Sequence, residues 1–206
     1  TLIAKESQNA DGTSEVGFKK VLAAHSFTWL GVQSMFIYII GFISQNHANL
    51  DDTEKGQVIS ASFLVLNLIA AILPALVLQP LAGKLGRVKL HTYCIASMAV
   101  AYFALSQLGY STLAIYITMG FLGIGWAATI SLPFAIMSLK VNAAKMGLYM
   151  GLFNLSVVLP QLVASLGIGK FMEQVQDKNM LFVVCAVCLA ISALCWFAVK
   201  EDHDDA

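Results

Sequence analysis

A single arginine, Arg87, occurs among the 206 residues, and Asp, Glu, Lys and Arg together supply only 12% of the chain, with a formal net charge of zero. Without a basic excess there is no electrostatic footprint for nucleic acid, and that class of partner is excluded. The charges that do exist avoid the apolar runs: every one falls in a terminus, in a loop or at the edge of a run. Such a pattern offers no activated nucleophile, no paired carboxylates and no metal cluster, so neither an enzyme nor a cofactor is expected. The four cysteines, Cys94, Cys185, Cys188 and Cys195, all lie inside apolar runs. The C-x-x-C spacing at 185–188 therefore reads as small packing residues, not as a zinc or redox site. The chain also lacks an initiating methionine and a charged-then-apolar leader, and Thr1 is expected to lie within a longer polypeptide.

What is abundant is apolar sequence: 58% of residues are hydrophobic, and the mean hydropathy is +0.76. Six runs carry it, at residues 21–43, 57–80, 90–108, 111–138, 147–172 and 179–199. Each is near or above the roughly 20 residues a helix needs to cross a bilayer. The expected fold is all-α and integral to the membrane, with residues 1–17 a polar linker, 18–200 a six-helix bundle and 201–206 an acidic tail. Alternate loops differ in basic content. One side carries Lys19, Lys20, Lys84, Arg87, Lys89, Lys140, Lys145 and Lys200, and the other only Lys55, Lys170 and Lys178. By the positive-inside rule both ends are cytoplasmic and the 46–56 loop is external, as in a multi-pass protein of a cell membrane, plasma or inner.

An internal repeat is visible. The second run contains Asn67-Leu68 followed by Leu73-Pro74, and the fifth contains Asn154-Leu155 followed by Leu159-Pro160. Those runs correspond if spans one to three and four to six are inverted repeats.

Polar side chains inside the runs are few and uncharged. Gln33 and Tyr38 on the first span, Asn67 on the second, Trp126 and Thr129 on the fourth, and Asn154 and Gln161 on the fifth could meet a neutral polyhydroxylated ligand. Amides donate and accept, and an aromatic ring offers a platform for a C–H face. Asn154 and Gln161 are seven residues apart, within about 20° of one helical face. The alternative is that these amides bond from helix to helix within the bundle. Pro133 and Pro160 each remove a donor, freeing the carbonyls of Thr129 and Ser156 and favouring kinks near mid-span. His25, at the edge of the first run, is expected to be solvated and to titrate near neutrality.

The fourth and fifth runs also carry a resemblance. Gly123 and Ile124, then Ser131-Leu132-Pro133-Phe134-Ala135, Ser138, Gly147, Met150-Gly151, Asn154-Leu155, Val158, Pro160-Gln161 and Ser165-Leu166-Gly167, resemble the matching helix pair of sucrose and maltose transporters related to the glycoside cation symporters of the major facilitator superfamily. The loop L-A-G-K-L-G-R-V-K is similar to that superfamily's cytoplasmic signature at Gly86 and Arg87, but has Gly83 and Lys84 in place of the acid and the following arginine. The resemblance implies the carboxy-terminal six-helix half of a twelve-helix alternating-access symporter. It further implies a sugar substrate, a coupling cation (H⁺ or Na⁺) whose carboxylate sits in the amino-terminal half, and that half as partner within the bilayer. A non-transporting sugar sensor on the same fold is the alternative, and a channel is disfavoured because no run has a sustained polar stripe or ring of charge.

Overall fold

The computed structural model describes residues 13–201; residues 1–12 and 202–206, most of the expected linker and tail, lie outside the described residues. Six helices have the length and composition to cross a membrane: α1 (Glu15–Asn46), α2 (Asp52–Leu85), α3 (Arg87–Leu108), α4 (Thr112–Ser138), α5 (Ala143–Gln174) and α6 (Met180–Phe197). Several of their starts are set by N-cap side chains that satisfy the first free N–H groups. Ser14 accepts from Gly17 N, Ser111 accepts from Ala114 N, and Asp51 and Glu54 form a reciprocal capping box at the head of α2.

Four of the apolar runs fall short of their helices, those of α1, α2, α3 and α5, and at the heads of α1 and α2 the capping side chains lie outside the runs. α1 starts six residues before its run, and this moves His25 inward. Ten residues beyond Glu15 is about 15 Å along the axis, and His25 is 3% exposed, not solvated as the sequence suggests. Lys140, expected in a solvated loop, is 2% exposed. Its Nζ donates to the carbonyl of Lys200 at 3.0 Å, tying the end of α4 to the end of α6.

Five helix pairs make the main packing of the bundle: α1 with α5, α1 with α6, α2 with α4, α3 with α4, and α3 with α6. Exchanging α1, α2 and α3 for α4, α5 and α6 maps this set onto itself, the signature of a 3+3 repeat. Burial follows the same exchange. In α2 and α5 only 22% of the apolar window is buried, against 44% in α1, 61% in α3 and 50% in α4 and α6. α2 and α5 also share an irregularity: a π-helical turn at Pro74–Leu78 in one and at Ala164–Ile168 in the other. Each lies at or just past the repeated Asn-to-Pro string, where the proline has already removed a backbone donor.

α2 passes into α3 through one residue, Gly86, at φ +91°, a backbone conformation that costs any residue with a Cβ. The carboxylate of Glu201, beyond the end of α6, accepts from the N–H groups of Arg87 (2.7 Å), Val88 (2.9 Å) and Lys89 (3.3 Å). An anion at a helix N-terminus meets both free donors and the positive end of the dipole. The acid that the 83–89 loop lacks is thus supplied from the other end of the chain.

Candidate functional site

The candidate polar residues fall on four helices, and the bundle gathers most of them into two pairs. Between α1 and α5, Gln161 Nε2 donates to Gln33 Oε1 at 3.4 Å. This is a long bond between two half-buried amides, and each retains capacity for a further partner. Between α2 and α4, Trp126 Nε1 donates to Asn67 Oδ1 at 3.3 Å, while Asn67 Nδ2 donates to the Phe63 carbonyl at 2.8 Å. The helix pairs that carry them exchange under the repeat, α1–α5 corresponding to α4–α2, although the repeat aligns Asn67 with Asn154 and not with Gln161.

Aromatic rings join them. Trp126 meets Trp29 edge-on at 5.7 Å and Phe36 at 5.4 Å, and Phe36 reaches Phe63 at 5.4 Å. Trp29 Nε1 donates to His25 Nε2 at 2.8 Å, and His25 stacks on Phe153 of α5 at 4.8 Å. The result is a belt, from Phe63 of α2 through Phe36 of α1, Trp126 of α4 and Trp29 and His25 of α1 to Phe153 of α5, with the Gln33–Gln161 amide pair beside it and Asn67 bonded to its Trp126. Sequence reasoning missed Trp29, Phe36 and Phe63. The signal was present on α1, where His25, Trp29, Gln33 and Phe36 recur at intervals of four, four and three and share one face.

The remaining candidates stand apart. Asn154 is exposed on α5, two turns from Gln161 on the same face, and its side chain has no hydrogen-bond partner among the described residues. Tyr38 places its hydroxyl 3.1 and 3.0 Å from the carbonyls of Ala164 and Ser165, so its proton is committed to the π-helical turn of α5. Thr129 is 3% exposed and donates back to the Gly125 carbonyl of its own helix at 2.8 Å.

The end of the bundle away from Glu201 is closed by side chains from α1 and the α5–α6 turn. Gln45 Nε2 donates to Asp177 Oδ1 at 2.9 Å, and Gln45 Oε1 accepts from Lys178 N at 2.7 Å. Asn46 donates to Asn179 at 2.8 Å. The Gln45 bond, followed by that from Asn179 N, holds the Asp177 carboxyl below its ordinary pKa.

Six membrane-length helices in a pseudo-symmetric 3+3 bundle, two of them leaving most of their apolar surface uncovered, define a multi-pass membrane protein. Its family is equally plain: the chain belongs to the Major Facilitator Superfamily, whose sequence profile matches residues 5–165. Among curated proteins it is similar to the sucrose transport protein SUC4 of Arabidopsis thaliana, at 24% identity over 172 residues, covering 72% of this chain and 34% of that protein. It is similar also to the sucrose transport protein SUT3 of Oryza sativa subsp. indica, at 24% over 216 residues, 86% of this chain and 42% of that one. The chain therefore spans well under half the length of these relatives. Its fold is like that in the crystal structure of an auto-inhibited POT family peptide transporter, with a TM-score of 0.75 and 12% identity over 91% of this chain and 38% of the other.

Proposed function

We propose that this chain is the carboxy-terminal six-helix half of a secondary transporter that moves a sugar, sucrose or a related glycoside such as maltose, by alternating access. The Gln33–Gln161 pair carries the reading. It is half-buried, neutral, loosely bonded and flanked by an aromatic belt, the combination a polyhydroxylated ring requires. Two relatives named for sucrose transport support the substrate class. Gln33, Gln161, Asn154, Asn67 and Trp126 form the sugar-facing set; Tyr38 and Thr129, with committed hydroxyls, shape the wall. The amino-terminal six-helix half covers the open faces of α2 and α5. A coupling cation, H⁺ or Na⁺, is held by a carboxylate of that half, because the acids described here lie toward helix ends and in loops. Both ends of the chain are cytoplasmic.

Counterflow of labelled sucrose in proteoliposomes containing the whole transporter tests the reading. Exchange across the membrane is expected. Saturable sucrose binding with no counterflow would favour the sugar sensor on the same fold.

A further inference from the structure

The described residues hold a cavity of about 500 Å³ that the polar pairs above do not use. It lies between α1 and α5 toward the Gln45–Asp177 end, and Tyr38, Gly41, Ser165, Lys170, Glu173 and Lys178 line it. That volume is within the range of small-molecule sites. We propose that it is a second sugar subsite, which holds the outer ring of a disaccharide whose inner ring lies at Gln33 and Gln161. The inference rests on the sugar-transporter reading.

Three observations carry it. The first is chemistry. The Lys178 ammonium is spent on the carbonyls of Met172 and Val175, at 2.5 and 2.6 Å. Lys170 and Glu173 are exposed and make no side-chain hydrogen bond or ion pair among the described residues, and the Glu173 carboxylate is within electrostatic reach of the Tyr38 hydroxyl. The Lys170 ammonium and the Glu173 carboxylate offer a donor and an acceptor to hydroxyls that both donate and accept, and with Lys178 the wall carries one net positive charge. Tyr38 adds a ring face.

The second is continuity. Ser165 is one turn beyond Gln161, and its Oγ donates to the Gln161 carbonyl at 2.8 Å. Tyr38 is five residues beyond Gln33. The cavity therefore begins about 6 to 7.5 Å farther along both helix axes than the amide pair. The third is space. A Cβ at Gly41 would meet nothing nearer than Lys178 Cγ at 4.0 Å, so this wall is set back and open.

A plug tests it. In the whole transporter, Gly41→Phe directs a ring into the cavity, and the readout is the ratio of sucrose affinity to methyl glucoside affinity, a two-ring against a one-ring probe. The ratio is expected to fall about 10-fold, the equivalent of one or two lost hydrogen bonds. Glu173→Ala, at an exposed position, should lower the same ratio and serves if the glycine variant does not fold. A ratio that stays within about 3-fold in both variants, or rises, overturns the subsite. Gln161→Ala separates the two readings: it should weaken both probes, and if it weakens neither, the central site is wrong whatever the plug does. Binding of neither probe by the unaltered transporter overturns both.

Discussion

A polar side chain in a membrane bundle earns a functional reading by what its partners leave unsatisfied. Gln33 and Gln161 share one long bond of 3.4 Å, while Thr129 and Tyr38 are already bonded to backbone carbonyls. Gln161→Ala should therefore weaken sucrose binding by roughly 5- to 150-fold, the cost of about 1 to 3 kcal/mol for unpaired hydrogen-bonding groups. Val158→Ala, an exposed apolar change near the same face of α5, should stay within about 3-fold. If Gln161→Ala binds normally but melts early in detergent, the amides are interhelical glue. Asp177 gives a pH signature. Its pKa is depressed by the Gln45 bond, so its contribution to stability is present above the unfolded value and fades as pH falls through the lower folded value. The difference in melting midpoint between the wild type and Asp177→Asn should narrow on acidification through the carboxylate range, and a difference constant across that range would remove Asp177 from the clasp.

At the scale of elements, the six helices were legible because apolar length alone identifies a span. The ends were less so, since Ser14, Asp51 and Glu54 act through capping bonds that hydropathy ignores. Of the site, the amides were legible as isolated polar residues in apolar runs, but their pairing was not, because it depends on which helices touch. Nor did the sequence foretell Glu201 at the head of α3, an interaction across 112 to 114 residues. Helix contact itself is testable through glycine. A Cβ on Gly123 of α4 would sit 2.8 Å from the Leu66 carbonyl and from Ile69 Cβ of α2, so the helices must separate to admit it. Gly123→Ala should cost about 1 to 3 kcal/mol in detergent melting, as overpacking does. Gly56→Ala, with nothing within 4 Å, should be neutral or stabilise by up to about 1 kcal/mol through helix propensity. Equal effects at the two sites would mean that α2 and α4 do not meet as described.

For the molecule as a whole, the question is what covers each apolar face. Val100 on α3 is 70% exposed and Leu194 on α6 is 69% exposed, yet Val158 on α5 is exposed as well, at 47%. Exposure therefore does not distinguish lipid from an aqueous path. The repeat supplies a criterion to test: α2 and α5 are related to each other and are the least covered spans, whereas α3 and α6 pack on one another. If α2 and α5 face the amino-terminal half across a sugar pathway, thiols placed there meet water during the transport cycle, while thiols on the backs of α3 and α6 meet hydrocarbon. A charged methanethiosulfonate reacts only where water reaches the thiolate. In the whole transporter, Asn154→Cys and Val158→Cys should react and be protected by sucrose, whereas Val100→Cys and Leu194→Cys should stay unreactive in both conditions. Reaction at Val100→Cys with silence at Asn154→Cys would place the pathway on the opposite side of the bundle, and with it remove Gln33 and Gln161 from contact with sugar.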